Sequence, residues 1–98
     1  MKYNIVFQPR AVIEIQNSID YYDNKQLGLG EEFYNEIFEY IETIILNPFY
    51  KIHSENIRIL PLKKFPFVIF YWIDEIERKV FIEAVFHTSQ NTEKYPKP

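Results

Sequence analysis

"FVIFYWIDEIERKVFIEAVF", residues 67–86, holds two apolar runs around a charged centre. The first, 67–73, is apolar on both faces and of strand length, as a strand central to a sheet must be. "DEIERK" (74–79) reads as a turn, and "VFIEAVF" (80–86) as the partner strand returning beside it. Just upstream, "ENIRILPL" (55–62) alternates, with Ile57 and Ile59 on one face and Arg58 and Leu60 on the other. Three strands joined in this order predict an antiparallel meander.

Working back toward the N-terminus, the period changes from two to about 3.6. Phe33, Ile37, Tyr40, Ile41 and Ile44 keep helical spacing, widened by Tyr34, Phe38 and Ile45, which predicts a helix from about Glu31. Glu31 and Glu32 fall in its first turn, where the helix dipole favours negative charge. Asn47-Pro48 ends it, because the residue before a proline is pushed out of helical geometry. An earlier helix starts at Pro9 and carries Val12, Ile15, Ile19 and Tyr22, with the small Ala11 beside that stripe. "GLG" (28–30) separates the two helices and holds both glycines of the chain. "YNIVF" (3–7) reads as a first strand. The expected fold is α+β: an N-terminal strand, an antiparallel helical hairpin and the antiparallel sheet on which it packs. We expect one domain over residues 1–98, with a tail at about 91–98 that is extended and mobile, or ordered only against a partner.

Composition narrows the function. An apolar fraction of 47% with 18% aromatic residues builds a core without disulfides or metal staples. No cysteine is present, which excludes thiolate catalysis and cysteine zinc sites. "MKYNIVFQPRAV" lacks the uninterrupted apolar core of a signal peptide, and no segment approaches a membrane span. A cytoplasmic protein with no membrane partner is therefore expected. The net charge of −3 argues against general nucleic-acid binding but is unevenly spread. Residues 1–50 hold three Lys/Arg against eight Asp/Glu, and residues 51–98 hold eight against six. Lys51, Arg58, Lys63 and Lys64 could form a basic face, although such charges more often merely solvate loops and strand edges.

Glycine-rich phosphate loops, nucleophile elbows and paired metal-ligand histidines are all missing, and no cofactor is expected. Of the two histidines, His53 lies in a polar connector and reads as a surface residue. His87 ends the last strand in "AVFHTSQN" (84–91), where a rigid backbone would hold an imidazole titrating near neutrality at the sheet's rim. Arg58 on a neighbouring strand could add a permanent charge to bind a phosphate, and Tyr71 and Tyr95 a hydroxyl or a stacking surface. The bland alternative is a polar strand end, with the aromatic run serving only as core. Eight tyrosines and nine phenylalanines also exceed what a small core needs, which fits either an over-aromatic interior or a groove that receives another chain.

Taken in order, these residues resemble the RelE/ParE superfamily of type II toxin–antitoxin toxins, also described as plasmid stabilisation proteins. The resemblance covers nearly the whole chain. It runs through Ala11, Tyr21-Tyr22, Gly30, Phe33, Asn47-Pro48, Arg58, "FPFVIFY" (65–71) and "AVFHTSQN". The family typically shows Ala-Val-x-His at the final strand.

The resemblance implies a helical hairpin on an antiparallel sheet and a cognate antitoxin that wraps and neutralises the toxin. It implies one of two actions: ribosome-dependent cleavage of messenger RNA, or poisoning of DNA gyrase. His87 matches the family's C-terminal histidine and Arg58 an arginine on the first meander strand. Many relatives carry arginine in a His-x-x-Arg-x-Pro pattern, where this chain has Gln90 and Thr92, and on the central strand, where it has Val68 and Trp72. The expectation that follows is a ParE-like, growth-inhibiting toxin that acts by binding its target. The alternatives are a metal-independent endoribonuclease using His87, Arg58 and Tyr95, and a degenerate member that has lost toxicity.

Overall fold

The computed structural model describes residues 2–49, 52–54 and 57–88. Tyr95, Gln90, Lys51 and the tail at 91–98 lie outside the described residues, as does the side chain of His53. The chain runs β1 (Asn4–Phe7), α1 (Pro9–Lys25), α2 (Leu29–Leu46), β2 (Ile52–Ser54), β3 (Ile57–Pro61), β4 (Phe67–Asp74) and β5 (Lys79–His87). The sheet order is β1-β5-β4-β3-β2.

The expected meander β3–β4–β5 is antiparallel throughout. Two additions come from the structure. β1 pairs with β5 in parallel, from Asn4 opposite Lys79 to Phe7 opposite Ile82, so the sheet is mixed. The connector after α2, expected to be plain loop, contributes β2, a three-residue strand with an irregular register against β3.

Both helices cover one face of this sheet. Ala11 and Ile15 of α1 and Phe33, Ile37, Ile41 and Ile44 of α2 bury against Leu60, Phe67, Ile69, Tyr71, Val80, Ile82 and Val85. Val12, expected in the α1 stripe, is instead 51% exposed, and Ala11 at 0% takes its place. Alternate residues of the same strands, Ile57, Val68, Phe70, Ala84 and Phe86, form a second cluster on the opposite face, with Ile59 and Trp72 packed against it.

The two glycines have different jobs. Gly28 takes a left-handed backbone (φ 89°) as the N-cap of α2. Gly30 is already helical, and its role is closeness. A Cβ there would lie 2.5 Å from the Ile19 carbonyl oxygen and 2.6 Å from the Asp23 carboxyl carbon. Its N–H donates to Asp23 Oδ1 at 2.8 Å, so α1 and α2 meet backbone to side chain at this point. At the far end Asn47 adopts extended geometry ahead of Pro48, and the buried Tyr71 hydroxyl donates to the Pro48 carbonyl at 2.8 Å. The β3–β4 loop is fixed from α2 as well. The buried Glu36 carboxylate accepts the Lys64 N–H at 2.9 Å and the Phe65 N–H at 3.3 Å.

We expect Gly30→Ala to destabilise the fold by about 1–3 kcal/mol, the usual cost of forcing extra volume into a packed contact. Urea denaturation measures it. A loss below about 0.5 kcal/mol, the ordinary range for a surface change, would show that the helices do not depend on this approach.

Candidate functional site

β5 is nine residues long and β1 reaches only as far as Ile82. The Gln8 N–H donates to the Ile82 carbonyl at 3.0 Å, and Pro9 then opens α1. Beyond that point no strand among the described residues lies on the outer side of β5, and α1 runs alongside it. Glu14, one turn into α1, supplies the acceptor a strand would have offered: its Oε1 takes the Val85 N–H at 2.8 Å. Its other oxygen accepts from Arg10 Nε at 3.1 Å. The Arg10 guanidinium lies over the Phe86 ring, 4.2 Å from its centroid.

The direction of His87 is set further back, by a bulge. Phe70 pairs with Ala84 but Tyr71 pairs with Ile82, so Glu83 is an extra residue on β5. Its carboxylate accepts from Trp72 Nε1, and Trp72 stacks on Phe81 at 4.3 Å and 7°. Before the bulge Val80 and Ile82 face the helices; after it Val85 does. Parity has switched, and His87, two residues beyond Val85, falls on the helix side.

There His87 sits opposite Phe67 in the ladder, the rings 5.2 Å apart at 78°. Two adjoining hollows open beside it. One, of about 230 Å³, is lined by Asn17, Ser18, Tyr21, Tyr22, Phe67 and His87. The other, of about 180 Å³, shares Asn17, Ser18, Phe67 and His87 and adds Glu14 and Val85. Ser18 donates its hydroxyl to the Glu14 carbonyl at 2.8 Å. Burial pushes the Tyr22 phenol above its ordinary value, with Tyr21 adding to the rise and Lys25 opposing it. Thr88 N–H to Pro66 carbonyl, at 2.7 Å, ties the strand end to the β3–β4 loop. A larger hollow of about 330 Å³ lies over that loop, between Glu36, Glu39, Tyr40, Thr43, Lys63 and Lys64. Its buried group, Glu36, is spent on loop backbone, and its remaining walls mix both signs of charge.

Among the described residues, those nominated from sequence are not gathered in one place. Arg58 shares the helix-facing side but sits opposite Tyr71, whereas His87 sits opposite Phe67. Four residues along β4 and two strands across put their Cα atoms about 16 Å apart. The Arg58 guanidinium lies over Phe49, 5.3 Å from the ring centroid. Tyr71 is fully buried with its hydroxyl bonded to Pro48. Val68 and Trp72 belong to the opposite face from His87. Glu14, Arg10 and Asn17 were not nominated. The i, i+4 pair Arg10/Glu14 beside Ile15 was visible, but nothing in the sequence says that its carboxylate meets a strand. Among the described residues no His/Asp/Glu cluster could hold a metal ion, and no helix is long and apolar enough to cross a membrane.

No family model matches the sequence, and no curated protein matches it. Solved structures do. A chain of the chromosomal ParDE TA system from P. aeruginosa superposes with a TM-score of 0.75, at 15% identity, over 90% of this chain and 98% of that one. The fold is that of the RelE/ParE toxins. The archaeal RelE–RelB complex from Pyrococcus horikoshii OT3 gives a TM-score of 0.60 at 9% identity, over 93% of this chain and 100% of that one. The RelBE2 toxin–antitoxin complex from Mycobacterium tuberculosis gives 0.56 at 12%, over 89% and 99%. Within this RelE/ParE-type fold, the final strand carries His87 to the helix side of the sheet.

Replacing Glu14 by alanine should leave the Val85 amide without its acceptor and cost about 1–3 kcal/mol. Amide exchange at Val85 should accelerate well beyond exchange at Ile82, whose strand pairing is untouched. Unchanged protection at Val85 would mean that the carboxylate is not what closes the edge.

Proposed function

We propose that this chain is the toxin of a type II toxin–antitoxin pair, ParE-like in action, neutralised by a cognate antitoxin and inhibiting growth by binding a cytoplasmic target such as DNA gyrase. Support for the partner comes from the fold, whose solved counterparts are toxin–antitoxin complexes, and from the surface. Val12, Ile13, Tyr21, Tyr34 and Leu46 are exposed on the two helices. Between Pro9 and Leu46 stand eight carboxylates and only two cations. A partner matching that surface is basic and apolar.

The observation that favours binding over RNA cleavage is the separation of charge from His87. Metal-free phosphoryl transfer depends on positive charge preorganised around the scissile phosphate. Among the described residues no lysine or arginine lines either hollow beside His87, and Glu14 does. The second reading, a ribosome-dependent endoribonuclease with His87 and Arg58 in the catalytic roles and Tyr95 beside them, keeps one point in its favour. His87 is held at a sheet rim on a bonded strand end, a fit place for a general acid or base.

Three outcomes are expected. Co-expressed with the product of the adjacent gene, the protein should purify as a complex burying more than about 1,200 Å²; a monomer indifferent to it at micromolar concentration would refute the pairing. Added to translating ribosomes, the purified protein should leave messenger RNA intact. Codon-site cuts lost in both Arg58→Ala and His87→Gln would overturn the binding reading in favour of the nuclease. If His87 serves the toxic function, His87→Gln should fold normally, still bind the antitoxin and lose toxicity.

A further inference from the structure

The side of the sheet turned away from the helices is shielded as thoroughly as the side beneath them. Phe70 and Ala84 are 0% exposed there, and Phe86 is 1% exposed. All the described strands belong to one sheet and both helices pack on its other face, so the described residues place no second layer here. Neighbours within a sheet shield only the flanks of a side chain. Its top needs another layer, which packs about 10 Å away. Arg10 reaches round the margin and covers one ring, 4.2 Å from the centroid of Phe86. Phe70 lies one strand further in.

The centre of this face has a definite relief. In the ladders Phe70 stands between Ile59 and Ala84, and Val68 stands beside Phe86. The rings of Phe70 and Phe86 meet edge to face at 5.7 Å and 84°. Ala84 offers only a methyl beside them, yet that methyl is sealed from water. A group with the height of a ring has to stand over it. Both phenylalanines also have partners besides each other and Arg10.

Few parts of the chain can supply that group. Residues 50–51 and 55–56 are two-residue links flanking β2. They sit at the far margin of the sheet, three strand spacings or about 14 Å from β5. Residues 89–98 follow Thr88, whose N–H donates to the Pro66 carbonyl at 2.7 Å. Ten extended residues span up to about 33 Å, and Ala84 lies only four residues back, about 13 Å. Ser89 and Asn91 suit a reversal of the chain. The four residues 92–95 then cover about 13 Å on the way back. Tyr95 is the one aromatic residue of the segment, and Pro96 and Pro98 suit a chain lying over a face better than one joining a ladder.

We propose that residues 89–98 fold back across this face as its second layer, with the Tyr95 ring seated on Ala84 between Phe70 and Phe86. The face is then closed to a partner unless the segment is displaced, and an incoming chain is left the helix side. Tyr95 stands across the sheet from His87, so the two cannot act on one phosphate. The proposal is independent of reading the chain as a toxin.

The chain has two alanines, Ala11 beneath the helices and Ala84 on this face. Methyl-labelled alanine therefore gives the full-length protein two methyl signals in a nuclear magnetic resonance spectrum, one of them a control. Nuclear Overhauser contacts are expected between the Ala84 methyl and the Tyr95 ring. In Tyr95→Ser the Ala84 methyl should move downfield as that ring's current is lost, while Ala11 stays in place. An Ala84 methyl without contact to Tyr95, or one that does not move in the variant, would overturn the proposal. So would a contact seen only between differently labelled copies, which would make a second chain the cover. Movement of Ala11 as well would mark unfolding of the variant, and the contact in the unaltered protein then decides alone. No antitoxin is present, so failure here is distinct from failure to co-purify a partner.

Discussion

β5 extends past the strand that pairs with it, and the arrangement of the site follows from how that excess is satisfied. Val85 is 2% exposed and its N–H points away from β4, into the flank of α1. An unmet amide there would cost about 1–3 kcal/mol. A second strand is unavailable, because Pro9 has already turned the chain into a helix, as suits a residue without an N–H at a helix start. Glu14 solves the problem from that helix. Its carboxylate is 21% exposed, so it keeps part of its hydration while bonding the strand. The bond sets α1 in register against β5 and places Asn17 and Ser18, one turn later, over His87. The Glu83 bulge does the complementary work on the strand. Without the extra residue, His87 would share a face with Ile59 and Trp72.

The sheet therefore has two unlike sides at its outer end. On the helix side are a carboxylate, two tyrosines and an imidazole around an open hollow. On the other side Trp72, Phe81 and Glu83 form a closed set, with the indole N–H bonded and the ring stacked. Trp72 is part of the scaffold here, holding the bulge that turns the histidine away.

Element order was legible because it depends on local chemistry: period-two and period-3.6 apolar spacing, a proline opening α1, and another closing α2 after Asn47. The faces of β3 were legible from its alternation, and Ile57, Ile59 and Leu60 fell as expected. Past Phe81 the facing of β5 was not. Nothing in "FIEAVFH" says that Glu83 is unpaired, since that depends on a tryptophan eleven residues earlier. The parallel pairing of β1 was hidden for a similar reason, because it joins the two ends of the described chain. Val12 misled because its spacing fits the edge of the helical stripe as well as its centre, and the packed face is centred on Ala11, 0% exposed, with Val12 at 51%. The histidine itself could be nominated, but the neighbours that define its chemistry come from α1, some 70 residues distant in sequence, as the Glu14–Val85 bond shows.

Separation decides what His87 and Arg58 can do together. Their Cα atoms lie about 16 Å apart by ladder geometry, roughly two Debye lengths at physiological ionic strength. At that range the guanidinium and the imidazole do not share one phosphate. Arg58 is also turned onto Phe49, at the end where Tyr71 grips Pro48. It reads as a clasp between the exit of α2 and the sheet, with its charge partly screened by a ring. Among the described residues, Glu14 is the charged side chain that lines the His87 hollow, and it is already paired with Arg10 at 3.1 Å. No lysine or arginine among them stands in those walls, so the hollow offers a phosphate none of the preorganised positive charge that metal-free phosphoryl transfer depends on.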